Sequence, residues 1–279
     1  MTYLENQNVN VSIITRKTFP KIFWRAIHKK KGIFRLSGHL WLKRQLAQTD
    51  HVFMWNGEEP NHSLIRSECA ERGIPCSILE VGYFPQKSYF TIDPAGINAT
   101  SSLMEDDLKW IGPKELEKKE ALRKSYLKGR RWKGKGDYIL VPLQLKHDTN
   151  IRNNSEFLDM QQFIDFCEQQ FPGKNLLFKR HPEDAENYKT QHTLATSGDF
   201  LDLAMNAEAV IGINSTCLLE STLLGVPTEG IGKGFLSAHA DNSENLLAAL
   251  VDKQVPVNAK DMSYWINRYC ATSVENPKR

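Results

Sequence analysis

With 279 residues, 41% of them hydrophobic and 25% charged, the chain can bury a sizeable core and is long enough for two ordinary domains, which excludes a disordered tail. A formal charge of +3 is too small to imply nucleic-acid binding, and the five cysteines (Cys69, Cys76, Cys167, Cys217, Cys270) form no C-x-x-C pair, so neither a zinc ribbon nor a disulfide framework is expected. No run approaches the roughly 18 apolar residues that span a bilayer, and the polar stretch Met1–Asn10 has no signal-peptide core; the expected compartment is the cytoplasm.

In chain order, short apolar runs alternate with amphipathic ones. Val11–Ile14 reads as a strand, Phe19–His28 as a helix, His51–Trp55 as a strand, His62–Arg72 as a helix and Cys76–Leu79 as a strand. The basic residues Arg16, Lys17, Lys21, Arg25, Lys29, Lys30, Lys31, Arg35, Lys43 and Arg44 crowd this part. They read either as a solvated face or as a contact for an anionic acceptor or an anionic membrane surface, which would make the protein peripheral to the inner membrane. Lys114–Leu127 has helical spacing, and 128–136, with three glycines, reads as a hinge. The expected division is therefore an N-terminal β/α domain, 1–127, on the acceptor side, the hinge, and a C-terminal β/α domain, 137–279, ending in a helical tail.

Beyond the hinge the pattern is clearer. Tyr138–Leu143 reads as a strand, Ser155 as the cap of a helix burying Phe157, Met160, Ile164 and Cys167, and Leu176–Lys179 as a strand. A helix near Phe200–Ala207, a strand at Val210–Gly212 and a helix at Thr216–Leu224 follow, the last stopped by Gly225-Val226-Pro227. Two β/α domains of Rossmann type would place a ligand between them, outside the carboxyl ends of the strands. Residues just after strands thus carry most weight, although such folds host many reactions.

Four clusters sit at such positions. Pro142-Leu143-Gln144-Leu145-Lys146-His147-Asp148-Thr149 puts ionisable groups at a strand end; Asp148 could act as nucleophile or base, or form an Asx turn. In Phe178-Lys179-Arg180-His181-Pro182, the three basic side chains can donate to phosphate oxygens while Pro182 holds His181 extended; a surface turn is the plainer reading. Asn214, Ser215 and Thr216 open a helix whose N–H groups suit a phosphate or carboxylate, with ordinary N-capping as the alternative, and Glu220, about a turn on, could accept from ribose hydroxyls. In the first domain Glu80, beside Gly82, is placed for acid or base work across the cleft, or is a surface carboxylate. Asn56 and Asn98 belong to turns that would line the same cleft.

The motifs of P-loop ATPases, serine hydrolases and zinc peptidases are missing, and Gly230-Ile231-Gly232-Lys233-Gly234 lacks the acidic partner of a dinucleotide fingerprint. His147, His181 and His239 are dispersed and no D-x-D pair occurs, so metal-independent chemistry without a cofactor is expected.

The ordered set Glu80-Val81-Gly82-Tyr83-Phe84-Pro85, Asp93-Pro94-Ala95-Gly96-Ile97-Asn98, Gln144-x-x-x-Asp148, Lys179-x-His181-Pro182 and Asn214-Ser215-Thr216 through Gly225-Val226-Pro227 resembles the capsule-polysaccharide β-Kdo transferases, over roughly Asn56 to Gly232. The resemblance implies a GT-B-like pair of domains and a retaining transferase that takes Kdo from CMP-β-Kdo to a surface glycan or glycolipid acceptor. It further implies Asp148, in its motif with Gln144, as the nucleophile, and Glu80 as acid or base toward the acceptor. Lys179, His181, Asn214, Ser215 and Thr216 would hold the CMP phosphate, and Glu220 the ribose. Larger members of that family carry two catalytic modules or long extensions, for which this chain has no room. A transferase of CMP-sialic acid or another nucleotide sugar, and a non-catalytic glycan- or nucleotide-binding module in polysaccharide export, are the competing readings.

Overall fold

The computed structural model describes residues 13–15, 33–35, 46–58, 60–145 and 148–270. The expected helix Phe19–His28, the basic residues from Arg16 to Arg44 other than Arg35, and Lys146 and His147 lie outside the described residues. The chain divides into two units. The first gathers the described residues up to Glu80 together with Ile92–Ala95 and Val255 onward; the second holds Val81–Thr91 and Gly96–Gln254.

In the first unit β1 (Ile13–Thr15) pairs in parallel with β2 (Ile33–Arg35). Next come β3 (Val52–Trp55), α1 (Pro60–Glu71) and β4 (Cys76–Val81), with β3 and β4 parallel and Val52 opposite Cys76. A parallel pair needs a crossover, and α1 supplies it, burying Ile65 and Cys69, four residues apart on one face, as Met54 of β3 and Ile78 of β4 are also buried. Gly73, at a φ of 70°, ends the helix in the left-handed region that glycine tolerates. β5 (Tyr89–Asp93) follows β4.

The second unit opens with α2 (Pro113–Leu127) and continues through β6 (Ile139–Pro142), α3 (Thr149–Asn154), α4 (Met160–Gln170), β7 (Leu176–Lys179) and β8 (Thr193–Ala195). α5 (Phe200–Ala204), β9 (Ala209–Gly212), α6 (Thr216–Leu224), β10 (Thr228–Gly230), α7 (Phe235–Ala238) and α8 (Ser243–Lys253) complete it. Its five strands lie in the order β10-β9-β6-β7-β8, all paired in parallel. Alternate residues of the central strands serve opposite faces: Ile139, Val141, Phe178 and Ile211 pack with Met160, Phe163, Ile164 and Cys167 of α4, while Leu140 and Val210 pack with the leucines of α6 and α8. Burial on both faces explains why these strands read as continuous apolar runs. The chain then returns to the first unit through β11 (Gln254–Pro256) and α9 (Ser263–Tyr269), and the second sheet runs β11-β5-β4-β3.

Two expectations meet a different local arrangement. Residues 128–136 lie inside the second unit, stitched to the turn after α5: Trp132 Nε1 donates to the Ala207 carbonyl at 2.9 Å and Arg130 Nε to Asp202 at 2.7 Å. Gly136 runs so close to this turn that a Cβ there would lie 2.2 Å from the Asn206 carbonyl oxygen. The helix expected from Ser155 begins at Met160, because Asp159 is the residue whose carboxylate accepts the Gln162 N–H, at 3.0 Å. Ser155 instead donates its hydroxyl to the Ile151 carbonyl at 2.8 Å and closes α3. Among the described residues no helix is long and apolar enough to cross a membrane.

Candidate active site

From β6 the second unit's sheet grows through β7 and β8 on one side and then through β9 and β10 on the other, so the strand order reverses between β6 and β9. A crevice opens at the carboxyl ends of the strands at such a reversal, where the loops leave in opposite directions. The loop after β6 carries Gln144 and Asp148; the loop after β9 carries Asn214 and Ser215.

Gln144 is buried, and its amide is fully used. Nε2 donates to Asp148 Oδ2 at 3.0 Å and to Asn214 Oδ1 at 3.2 Å, while Oε1 accepts the Asn214 N–H at 3.4 Å. The Asp148 N–H donates to the Leu145 carbonyl at 2.9 Å, and the Asp148 carbonyl accepts the Ile151 N–H at 3.2 Å, so the aspartate is fixed at the turn into α3. A half-buried carboxylate gripped by one amide and held on a short turn keeps its charge aimed at a defined place. Asn214 reaches on, its Nδ2 donating to the Lys233 carbonyl at 3.2 Å.

Ser215 is the cap of α6, its Oγ accepting the Cys217 N–H at 3.3 Å, and Thr216 is the first residue of that helix. Burial pushes the Cys217 thiol up to about 12, which keeps it protonated and a poor nucleophile near neutral pH. Glu220 receives the Tyr126 hydroxyl; burial raises its carboxyl above the usual range, and the tyrosine hydrogen bond pulls the other way. Lys179 ends β7 buried, with Nζ donating to the Arg180 carbonyl at 3.1 Å. His181 Nδ1 accepts the Glu183 N–H at 3.2 Å, so in the neutral ring the proton sits on Nε2 and that nitrogen is a donor.

Elsewhere in the second unit, Gly82 donates its N–H to the Tyr89 carbonyl at 2.9 Å, and a Cβ there would meet the Tyr89 Cβ at 2.5 Å, which explains the glycine. Asn98, at a φ of 44°, begins a 3-10 turn that packs against α3. In the first unit Asn56 and Glu80 are joined directly, Asn56 Nδ2 donating to Glu80 Oε2 at 2.9 Å. Among the described residues no cluster of three or more His, Cys, Asp or Glu side chains is arranged as a metal-ligand set. Tyr126, Asn154 and Lys233 carry no motif in the sequence; their only signal there is polar character, the first two on helices and the third in a loop.

Residues 108–238 match the family described as capsule polysaccharide biosynthesis protein. The matched stretch takes in Gln144, Asp148, Lys179, His181, Asn214, Ser215, Thr216 and Glu220, whereas Asn56, Glu80, Gly82 and Asn98 precede it. Protein FixF of Sinorhizobium fredii is 27% identical over 66% of this chain, and the chain spans about half of that protein, the aligned part being 50%. Among solved structures, the β-Kdo 2,7 transferase of Thermosulfurimonas dismutans KpsC superposes with a TM-score of 0.67 at 17% identity, covering 90% of this chain and 94% of that one. The β-Kdo 2,4 transferase of the same KpsC gives 0.60 at 16% identity, covering 78% and 83%. These likenesses show the fold: an α/β architecture of GT-B type with Rossmann-like parallel sheets, shared with those two structures.

Proposed function

We propose that the chain is a retaining glycosyltransferase that moves Kdo from CMP-β-Kdo to a glycan or glycolipid acceptor of the bacterial surface. The observation that supports this reading is the bonded set Asp148–Gln144–Asn214, which joins the loops after β6 and β9 at the strand-order reversal.

In the first displacement the Asp148 carboxylate attacks the anomeric carbon of the sugar, and the bond from that carbon to the phosphate oxygen breaks. CMP departs with the bonding electron pair, leaving the sugar as an ester of Asp148. A cytidylate leaving group is already anionic, so fixed donors stabilise its departure without a metal. The reading assigns that task to His181 Nε2, Lys179, Asn214 and the Ser215–Thr216 helix start, and assigns the ribose to Glu220. In the second displacement the acceptor oxygen attacks the same carbon, its proton passing to Glu80, and the Asp148 carboxylate is released. Two inversions return the original configuration. Neutral Gln144 donates to the Asp148 carboxylate and so orients the attacking group without adding charge. The basic residues from Arg16 to Arg44 would serve peripheral contact with an anionic membrane, and the expected compartment stays the cytoplasm.

The test is Asp148→Asn, which keeps size and hydrogen-bonding capacity but removes the nucleophile. On this reading turnover of CMP-Kdo falls by at least about a thousandfold, a large share of what covalent catalysis supplies, while CMP binding measured by calorimetry stays within a few fold. Unchanged turnover, or transfer from CMP-sialic acid in preference to CMP-Kdo, would reject it. Binding of CMP with no transfer by the unmodified protein would point to the export module instead.

A further inference from the structure

The glycine-rich loop after β10, which has no part in the mechanism above, is built into the same network. Its main chain extends the sheet past Gly230, with the Ile231 and Gly232 N–H groups donating to the Gly212 and Ile213 carbonyls, each at 2.9 Å. Lys233 then lies between the two site loops: its N–H donates to the Asn154 carbonyl at the end of α3, 2.8 Å away, and its carbonyl accepts from Asn214 Nδ2 at 3.2 Å. From Lys233 the hydrogen bonds run through Asn214 and Gln144 to Asp148. This close seating depends on Gly232, where a Cβ would lie 2.6 Å from Ile213 Cγ2 and 3.0 Å from the Asn154 carbonyl oxygen.

The two lysines of the site are used differently. Lys179 is buried and gives one of its ammonium hydrogens to the Arg180 carbonyl. Lys233 is exposed and forms no ion pair among the described residues. Its main chain is pinned to Asn154 and Asn214, while its flexible four-carbon stem can swing a point charge over the loops that carry Asn214 and Asp148.

A cation there answers a specific electrostatic difficulty. Kdo is a sugar acid whose carboxylate is attached to the anomeric carbon, so attack by Asp148 brings two negative groups together. At such short range the repulsion raises the barrier unless a positive charge offsets it. We propose that Lys233 receives the donor sugar's carboxylate, and so selects a sugar acid over a neutral sugar; this rests on the transferase reading above.

The experiment compares, for the unmodified protein, Lys233→Gln and Lys233→Arg, the kcat/KM for CMP-Kdo with the inhibition constant of CMP alone. Because the side chain is exposed, the variants should fold, and an unchanged Tm checks this. Lys233→Gln should lower kcat/KM by about 10- to 100-fold, the range of one charge-assisted hydrogen bond, while CMP inhibits within about twofold of its original constant. Lys233→Arg should recover most of the loss. An equal loss in kcat/KM and CMP affinity would assign the ammonium to the phosphate and overturn the inference, and so would no change in either. If CMP-Kdo is not turned over by the unmodified protein, the transferase reading fails first and this inference with it.

Discussion

Gln144 and Asn214 bind each other through both ends of the glutamine amide: Nε2 donates to Asn214 Oδ1 at 3.2 Å and Oε1 accepts the Asn214 N–H at 3.4 Å. The pair ties the loop after β6 to the loop after β9, and the second Nε2 hydrogen is left for Asp148. Truncation to Gln144→Ala would remove a buried hydrogen-bond partner from the Asn214 main-chain N–H, the Asn214 amide oxygen and the Asp148 carboxylate. Leaving such groups unpaired costs about 1–3 kcal/mol, so urea unfolding should show a loss of that size. Steady-state kinetics should show a larger fall in kcat than the change in CMP affinity, because the nucleophile rather than the nucleotide loses its guide.

Gly232→Ala forces a methyl group into space already held by Ile213 and the Asn154 carbonyl oxygen. Overpacking against main chain costs about 1–3 kcal/mol, and the easiest relief is to push the Lys233 loop away from α3. Unfolding free energy should fall by that amount. If Lys233 acts as inferred, kcat/KM should fall as well, whereas a variant that is destabilised yet fully active would separate the loop from the chemistry.

Glu220 gives a pH prediction with an uncommon sign. Burial raises its carboxyl above the ordinary 4.5, so the folded state holds its proton more tightly than the unfolded chain. The stability contribution is therefore complete below the ordinary value and is lost as pH rises from there through the raised one. Glu220→Gln keeps an oxygen to accept the Tyr126 hydroxyl, which burial and this same bond keep protonated well above the usual tyrosine range. Thermal melts across acid to neutral pH should show the variant losing less stability than the unmodified protein as pH rises. Parallel curves would mean that the carboxyl is not perturbed.

The sequence revealed the second unit better than the first for a physical reason. Strands buried on both faces, such as Ile139–Pro142 and Leu176–Lys179, declare themselves as unbroken apolar runs between turns. α6 was legible at both ends, since Ser215 caps it and Gly225, at a φ of 93°, stops it. By contrast α3 is six residues of Thr, Asn, Ile and Arg without an apolar period, and it is held by contacts that no local pattern encodes. Ser155 and Asp159 are both good caps, and the choice between them follows from where α3 ends. The grouping of Gln144, Asp148 and Asn214 was suggested by their places after strands and by the motifs that carry the family resemblance, whereas the bonds among them come from the strand order. Lys233 stayed hidden because a glycine-rich loop late in the chain resembles a spoiled nucleotide fingerprint until its main chain is seen against Asn154 and Asn214.

The central claim is a covalent bond between Asp148 and the sugar, and intact-protein mass spectrometry after incubation with freshly generated CMP-Kdo, without acceptor, tests it most directly. The account predicts a mass gain of one Kdo residue that maps to the peptide containing Asp148, is missing in Asp148→Asn and disappears when acceptor is supplied. Transfer to acceptor that proceeds at full rate in Asp148→Asn, with no adduct on the unmodified protein, would contradict it.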